Sequence, residues 1–106
     1  MVTEIDAATL RERLEAGEPV QVVDIRPERE YRAGHIPGAV NLPFSRFARE
    51  IDRYDWAEEI VVACPIGESS RQAARLLAAY EDVDEDATVA NLTGGYRAWD
   101  GELERD

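Results

Sequence analysis

Short segments rich in Val and Ile recur along the chain and limit the folds open to it. Residues 20–25 (VQVVDI), 59–63 (EIVVA) and 87–92 (ATVANL) are almost continuously apolar, as in strands buried on both faces. Residues 2–5 and 38–43 predict two shorter strands. Helix-type segments separate these strands, and such alternation predicts an α/β fold with a mainly parallel sheet and helices on both faces.

The helix-type segments carry start signals. Asp6 is placed to cap a first helix, and Ser69 to Gln72 match the S-x-x-Q capping box of a helix that runs from about Ser70. Apolar residues in that helix recur at the 3.6-residue period. Shorter helices are predicted at 28–33, from Ser45 onward, and after Gly94-Gly95.

Charge narrows the function classes. The chain has 23 acidic residues against 12 basic ones, all of them Arg, for a net charge of -11. Nucleic-acid binding is disfavoured because phosphate contacts need a basic surface. The balance is typical of proteins from a salt-rich cytoplasm and predicts a halophilic source. The alternative is an ordinary acidic bacterial domain.

The length and the cysteine content limit the number of domains and the kinds of site that the chain can form. With 106 residues, the chain is predicted to be a single domain over 1–106 and a monomer, since nothing marks an apolar interface. One cysteine and one histidine exclude an internal disulfide and disfavour a metal site, and no cofactor is expected. The sequence has neither a signal-peptide pattern nor an apolar run of about 18 residues, which predicts a cytoplasmic protein without membrane contact.

Several polar or small residues follow strands of the predicted sheet. Asp24 and Arg26 end one strand, Cys64 ends the next, and Gly94-Gly95 follow the last. The carboxyl ends of parallel strands meet at one edge of a sheet, where ligands bind. We therefore expect these residues to converge on one crevice.

A strand-loop-helix junction suits a cysteine nucleophile. The reactive form is the thiolate, and the unpaired N–H groups and positive dipole end of a helix N-terminus favour an anion. Gly67 would let the loop after Cys64 turn tightly. The alternative is that Cys64 is a small buried hydrophobe.

Four stretches, in the family's order, resemble the rhodanese homology domain. They are VVDIR (22–26), EYRAGHIPGAVNLP (30–43), CPIGESSRQAA (64–74) and NLTGGYRAWDGEL (91–103). Together they cover nearly the whole chain, and the GHIPGA and GGxxAW patterns are specific in combination. The resemblance implies a five-stranded parallel sheet flanked by helices.

The resemblance also implies a sulfurtransferase. Cys64 would be the nucleophile and persulfide carrier, and Pro65 to Ser69 the active-site loop. The donor would be thiosulfate, polysulfide or a protein persulfide. The acceptor would be cyanide, a thiol or a partner protein. Because the chain has no second cysteine, that acceptor must come from outside.

The loop departs from the family's pattern in its charge. Active members often place an Arg here, whereas Pro65, Ile66, Gly67, Glu68 and Ser69 include no basic residue. Pro65 removes one N–H from the anion cradle, and Glu68 disfavours the thiolate and repels thiosulfate. This favours a neutral or protein-bound sulfur donor over free thiosulfate.

Other residues complete the candidate site. Arg71 and Arg26 are candidates to compensate for the missing loop Arg, and the hydroxyls of Ser69 and Ser70 can donate hydrogen bonds. The remaining candidates are predicted to have structural roles near the site. Asp24 is expected to pair with an Arg and anchor the neighbouring loop, and His35 to form a hydrogen bond that stabilises a turn. Gly94 and Gly95 are expected to form the turn after the last strand.

Two alternatives stay open. A non-catalytic rhodanese-like binding module is disfavoured by the intact Cys64 and favoured by the acidic loop. A cysteine phosphatase or arsenate reductase would need C-x5-R so that Arg can clamp the oxyanion in a bidentate contact. Here Ser70 occupies the sixth position after Cys64, and Arg71 comes one place too late.

Overall fold

Five strands form one parallel sheet in the order β1-β5-β4-β2-β3. The computed structural model describes residues 2–106. The strands are β1 (Val2–Ile5), β2 (Gln21–Asp24), β3 (Val40–Asn41), β4 (Glu59–Ala63) and β5 (Thr88–Leu92). The prediction of a five-stranded parallel sheet is confirmed, with β3 shorter than the sequence pattern indicated.

Helices connect the strands as the alternation predicted. They are α1 (Ala7–Glu15), α2 (Glu28–Ala33), α3 (Phe47–Glu50), α4 (Ser69–Ala79) and α5 (Gly95–Ala98). The helix expected from Ser45 onward is instead divided, with 3-10 turns at Phe44–Arg46 and Ile51–Arg53 on either side of α3. The division occurs because Arg46 and Glu50 have φ near -115° and -112°, outside the helical region.

Alternate residues of the central strands face opposite layers of the core. Val23 and Val62 belong to a buried cluster that also contains residues of α3 and α4. Their neighbours Val22 and Val61 belong to a second cluster that includes Leu10 of α1. This two-residue period buries both faces of the sheet, which explains why β4 is apolar throughout.

The two predicted helix caps have different outcomes. Asp6 caps α1, and its carboxylate accepts a hydrogen bond of 2.8 Å from the Thr9 N–H. The capping box at Ser69 is wrong, because α4 begins at Ser69 after Glu68 and no side chain caps it. The hydroxyl of the next residue, Ser70, donates to Asn91 on β5 and takes no part in capping α4.

Among residues 2–106, no helix has the length and apolar composition needed to cross a bilayer.

Adjacent leucines of α4 test the assignment of the core. Leu77 is fully buried, whereas Leu76 is 46% exposed. Leu77→Ala should lower the free energy of unfolding by about 2–5 kcal/mol because it leaves a cavity. Leu76→Ala is the matched control, and its loss in free energy of unfolding should be much smaller because the Leu76 side chain is already half exposed to water. Urea denaturation measures both, and equal losses would contradict the packing described.

Candidate active site

The carboxyl ends of β2, β4 and β5 lie side by side and position the candidate site. Cys64 directly follows β4, which lies between the other two strands. Asp24 of β2 is in register with Ala63, and Asn91 of β5 is in register with Val62. The sheet therefore brings together residues that are far apart in the sequence.

The Cys64 sulfur is enclosed by hydrogen-bonding groups. It accepts N–H bonds from Gly67 at 3.0 Å and from Ser70 at 3.4 Å, and the thiol donates to the Ser70 hydroxyl oxygen at 3.2 Å. The residue is only 1% exposed. Two backbone donors aimed at one sulfur form a small anion cradle between the end of β4 and the start of α4.

Backbone packing against the Gly94-Gly95 turn holds the loop in place. The Tyr96 N–H donates to the Cys64 carbonyl at 2.9 Å, and the Arg97 N–H donates to the Pro65 carbonyl at 3.0 Å. A Cβ at Gly95 would lie 2.0 Å from the Cys64 carbonyl oxygen. Only glycine permits this close approach, and Gly67, with φ of +86°, supplies the opposing turn.

Asn91 is a residue of the site that sequence reasoning missed. It is fully buried in β5, and its side-chain amide donates to the Gly67 carbonyl at 3.2 Å and to a Glu4 carboxylate oxygen at 3.0 Å. Its oxygen accepts from the Ser70 hydroxyl. The available signal was an Asn inside the apolar segment ATVANL, since a buried amide needs hydrogen-bond partners.

Charges around the loop are unevenly paired. Arg71 lies 3.5 Å from the Glu4 carboxylate, while Glu68 forms no ion pair or side-chain hydrogen bond with any of residues 2–106. Burial raises the pKa of Glu4, but hydrogen bonds from Asn91 and Thr93 and the charge of Arg71 outweigh it and lower that pKa overall. Glu68 lies in the segment between Gly67 and Ser70, whose N–H groups contact the sulfur.

Arg26 is engaged by a buried partner. Its guanidinium and backbone N–H bind the Asp24 carboxylate, with the shortest contacts at 2.8 Å, and it also donates to the Gly34 carbonyl at 2.7 Å. Its guanidinium carbon lies 3.5 Å from the centre of the Tyr96 ring. Burial lowers the pKa of Arg26, but Asp24 more than offsets this and raises it overall. Burial also raises the pKa of Tyr96.

His35 packs in the segment between α2 and β3. Its Nδ1 lies 2.8 Å from the Tyr31 carbonyl oxygen, and its ring stacks on the Tyr31 ring with centroids 3.8 Å apart. The His35 backbone forms an antiparallel bridge with Glu104. These contacts fix the turn and join it to the C-terminal segment.

The fold and the cysteine loop together define a class of protein. A parallel α/β sheet carries a single cysteine at the end of its central strand, in a loop that packs on a Gly-Gly turn. Residues 6–102 match the Rhodanese-like domain family, and the chain belongs to this family.

Similar proteins extend over most of the chain. The putative sulfurtransferase YtwF of Bacillus subtilis (strain 168) is 33% identical over 95% of this chain and 93% of its own length. The thiosulfate sulfurtransferase GlpE of Shewanella oneidensis is 41% identical over 76% of this chain and 75% of its own. The solution structure of the rhodanese-like domain of Anabaena Alr3790 has a TM-score of 0.80 and 32% identity, covering all of this chain and 81% of that one.

Some relatives are longer proteins. The chain spans about half the length (54%) of the putative sulfur carrier protein YrkF of Bacillus subtilis, which is 27% identical over 97% of this chain.

Gly95 and Gly17 form a matched test of the loop packing. Both have positive φ, but a Cβ at Gly17 would meet nothing within 4 Å. Gly17→Ala should cost about 1–2 kcal/mol for the left-handed conformation alone. Gly95→Ala should cost clearly more, because its Cβ displaces the Cys64 carbonyl, and it should also speed modification of Cys64 by thiol reagents. Urea denaturation and thiol modification measure the two effects, and equal behaviour of the variants would contradict the close approach.

Proposed function

We propose that this protein is a sulfurtransferase that carries sulfur as a persulfide on Cys64. The observation that carries the proposal is the pair of backbone N–H groups, from Gly67 and Ser70, that contact the Cys64 sulfur. These groups stabilise negative charge on sulfur without a cation. Membership of the rhodanese-like family and the similarity to proteins named sulfurtransferases support the same reaction class.

The reaction has two displacement steps. The Cys64 thiolate attacks the outer sulfur of the donor, an S–S bond forms, and the donor's leaving group departs with the electron pair of the broken bond. An external acceptor then attacks the outer sulfur of the persulfide and restores the thiolate. The acceptor is a thiol, cyanide or a partner protein, since the sequence holds one cysteine.

The loop has backbone donors that can receive the added sulfur. The N–H groups of Ile66 and Glu68 make no hydrogen bond with residues 2–106, and both residues are exposed. Pro65 offers no such group. In a Cys64 persulfide, the N–H groups of Gly67 and Ser70 would donate to the inner sulfur, and the other N–H groups of the loop would be available to the outer sulfur.

Charge near the loop favours a neutral or protein-bound donor over free thiosulfate. Among residues 2–106, Glu68 has no ion-pair partner, whereas Arg71 is paired with Glu4 and Arg26 with Asp24. A dianion such as thiosulfate thus approaches one uncompensated carboxylate. Ile66, which is 49% exposed at the same loop, offers an apolar contact to a larger donor.

A specific observation favours a second candidate, a non-catalytic binding module. Cys64 is almost completely buried, so a donor reaches the sulfur only if the loop moves or the reacting group is small. A module that binds a partner through the exposed loop would need no such access. The two candidates differ in whether Cys64 acquires sulfur.

Intact-mass spectrometry tests the persulfide. After exposure to polysulfide, at low salt and at molar salt, the protein should gain the mass of one sulfur atom. The gain should be reversed by cyanide or dithiothreitol and be absent in Cys64→Ser. Thr88→Ala is the hydroxyl control and should keep the gain, because Thr88 is exposed at the start of β5, at the end of the sheet opposite to Cys64. No gain from polysulfide or from a protein persulfide, in folded protein, would favour the binding module.

The donor preference is tested at Glu68. Glu68→Arg should raise kcat/KM for thiosulfate roughly tenfold at low salt, because it replaces repulsion by attraction close to the sulfur. The gain should shrink at molar salt, where the Debye length is about 3 Å. Glu85→Gln removes an exposed charge from the acidic connection before β5 and should change little. An unchanged kcat/KM in Glu68→Arg would contradict the role given to Glu68.

A further inference from the structure

The side-chain amide of Asn91 has only one possible orientation. Its nitrogen faces the Gly67 carbonyl at 3.2 Å and the Glu4 carboxylate at 3.0 Å. Both partners are acceptors, so the donor end of the amide must point at them. The amide oxygen therefore faces the Ser70 hydroxyl, and that oxygen can only accept.

This orientation fixes the single proton of the Ser70 hydroxyl. The proton is directed to the Asn91 oxygen, so Ser70 presents only lone pairs to the Cys64 sulfur, 3.2 Å away. A thiol satisfies this arrangement because its S–H donates to the Ser70 oxygen. A sulfur without a proton does not, since two lone pairs would then face each other.

We propose that Asn91 is a positioning residue that holds Cys64 as a thiol in the resting site, by keeping the Ser70 proton turned away from the sulfur. When the sulfur loses its proton to solvent, the Ser70 hydroxyl rotates and donates to the sulfur, and the buried Asn91 oxygen loses the one donor it has among residues 2–106. Thiolate formation therefore replaces two buried hydrogen bonds, from the thiol to Ser70 and from Ser70 to Asn91, by the single bond from Ser70 to the sulfur. The relevance of this hydrogen-bond switch to sulfur transfer rests on the proposed function, whereas the switch itself concerns Cys64 before any sulfur is added.

Charged groups also lie on the elements that surround the Cys64 loop. They lie on the loop and α4 (Glu68 and Arg71), on β1 (Glu4), at the end of β2 (Asp24 and Arg26) and, as a titratable phenol, on α5 (Tyr96). Asn91→Leu removes the hydrogen bond to Glu4 whether or not the Ser70 hydroxyl is present, and the other groups keep their contacts when Asn91 and Ser70 are substituted. A double-mutant cycle on these two residues therefore cancels their contribution.

The experiment follows the ultraviolet absorbance of the thiolate against pH, which reports on Cys64 because the sequence has one cysteine. Cys64→Ser supplies the background from tyrosine. Asn91→Leu, which is close in shape, frees the hydroxyl and should lower the midpoint of thiolate formation by about one pH unit, or tenfold in the thiolate-to-thiol ratio. Ser70→Ala should raise the midpoint by about the same amount in the Asn91→Leu background, and by clearly less when it is introduced alone.

The control and the contrary outcomes are specific. Thr93→Val removes the hydroxyl that donates to Glu4 at 3.0 Å beside the Asn91 amide, leaves the Asn91 oxygen unchanged, and should leave the midpoint in place. An unchanged midpoint in Asn91→Leu, or the same shift with and without the Ser70 hydroxyl, would overturn the proposal.

A second measurement covers the case in which Asn91→Leu does not fold. The nuclear magnetic resonance signals of the Asn91 side-chain amide should shift with pH at the thiolate midpoint in the unmodified protein. The shift should be largely lost in Ser70→Ala, and an equal shift in both would refute the switch. Because no sulfur donor is present, a positive result here together with no persulfide by mass would retain the switch and reject sulfur transfer.

Discussion

The hydrogen bond between the Tyr96 N–H and the Cys64 carbonyl, 2.9 Å long, is the contact on which the site depends. It forms only because Gly95 has no side chain where a Cβ would meet that carbonyl at 2.0 Å. With the carbonyl held there, the chain turns at Gly67 and directs its N–H toward the sulfur. The cradle is thus set by packing one backbone segment on another, and no side-chain cation takes part.

The electrostatic design follows from that backbone arrangement. In a chain with a net charge of -11, Arg71 is paired with Glu4, and Arg26 is paired with the buried Asp24. Oriented N–H groups stabilise an anion without attracting every anion in solution, because they act only at short range. Under the proposed function, the Glu68 carboxylate would disfavour small dianions and favour sulfur delivered in a less charged form.

The fold was largely predictable from the sequence, because strands that are buried on both faces consist almost entirely of apolar residues. The apolar segments at 59–63 and 87–92 became the central strands β4 and β5 with bounds shifted by at most one residue. The predictions that failed concern the start of one helix and the continuity of another. Ser69 to Gln72 match a capping box, but no side chain caps α4, and the Ser70 hydroxyl donates to a buried acceptor on β5. The helix from Ser45 onward is divided at Arg46 and Glu50, whose backbone leaves the helical region while Phe47 and Ile51 are buried in the core.

The sequence by itself determined the alternation of strands and helices, and with it the edge at which Cys64, Asp24 and the Gly-Gly turn meet, since parallel strands must end together. The tertiary structure alone decided which groups contact the sulfur. Asn91 and Glu4 stand 87 residues apart, and their contact with each other arises only once β1 pairs with β5. The same pairing sets the direction of the amide and, through Ser70, the hydrogen bond offered to the cysteine. The type of a residue decides which hydrogen bonds its side chain can donate or accept. Which of these bonds form depends on the polar groups that the fold buries beside it, away from water.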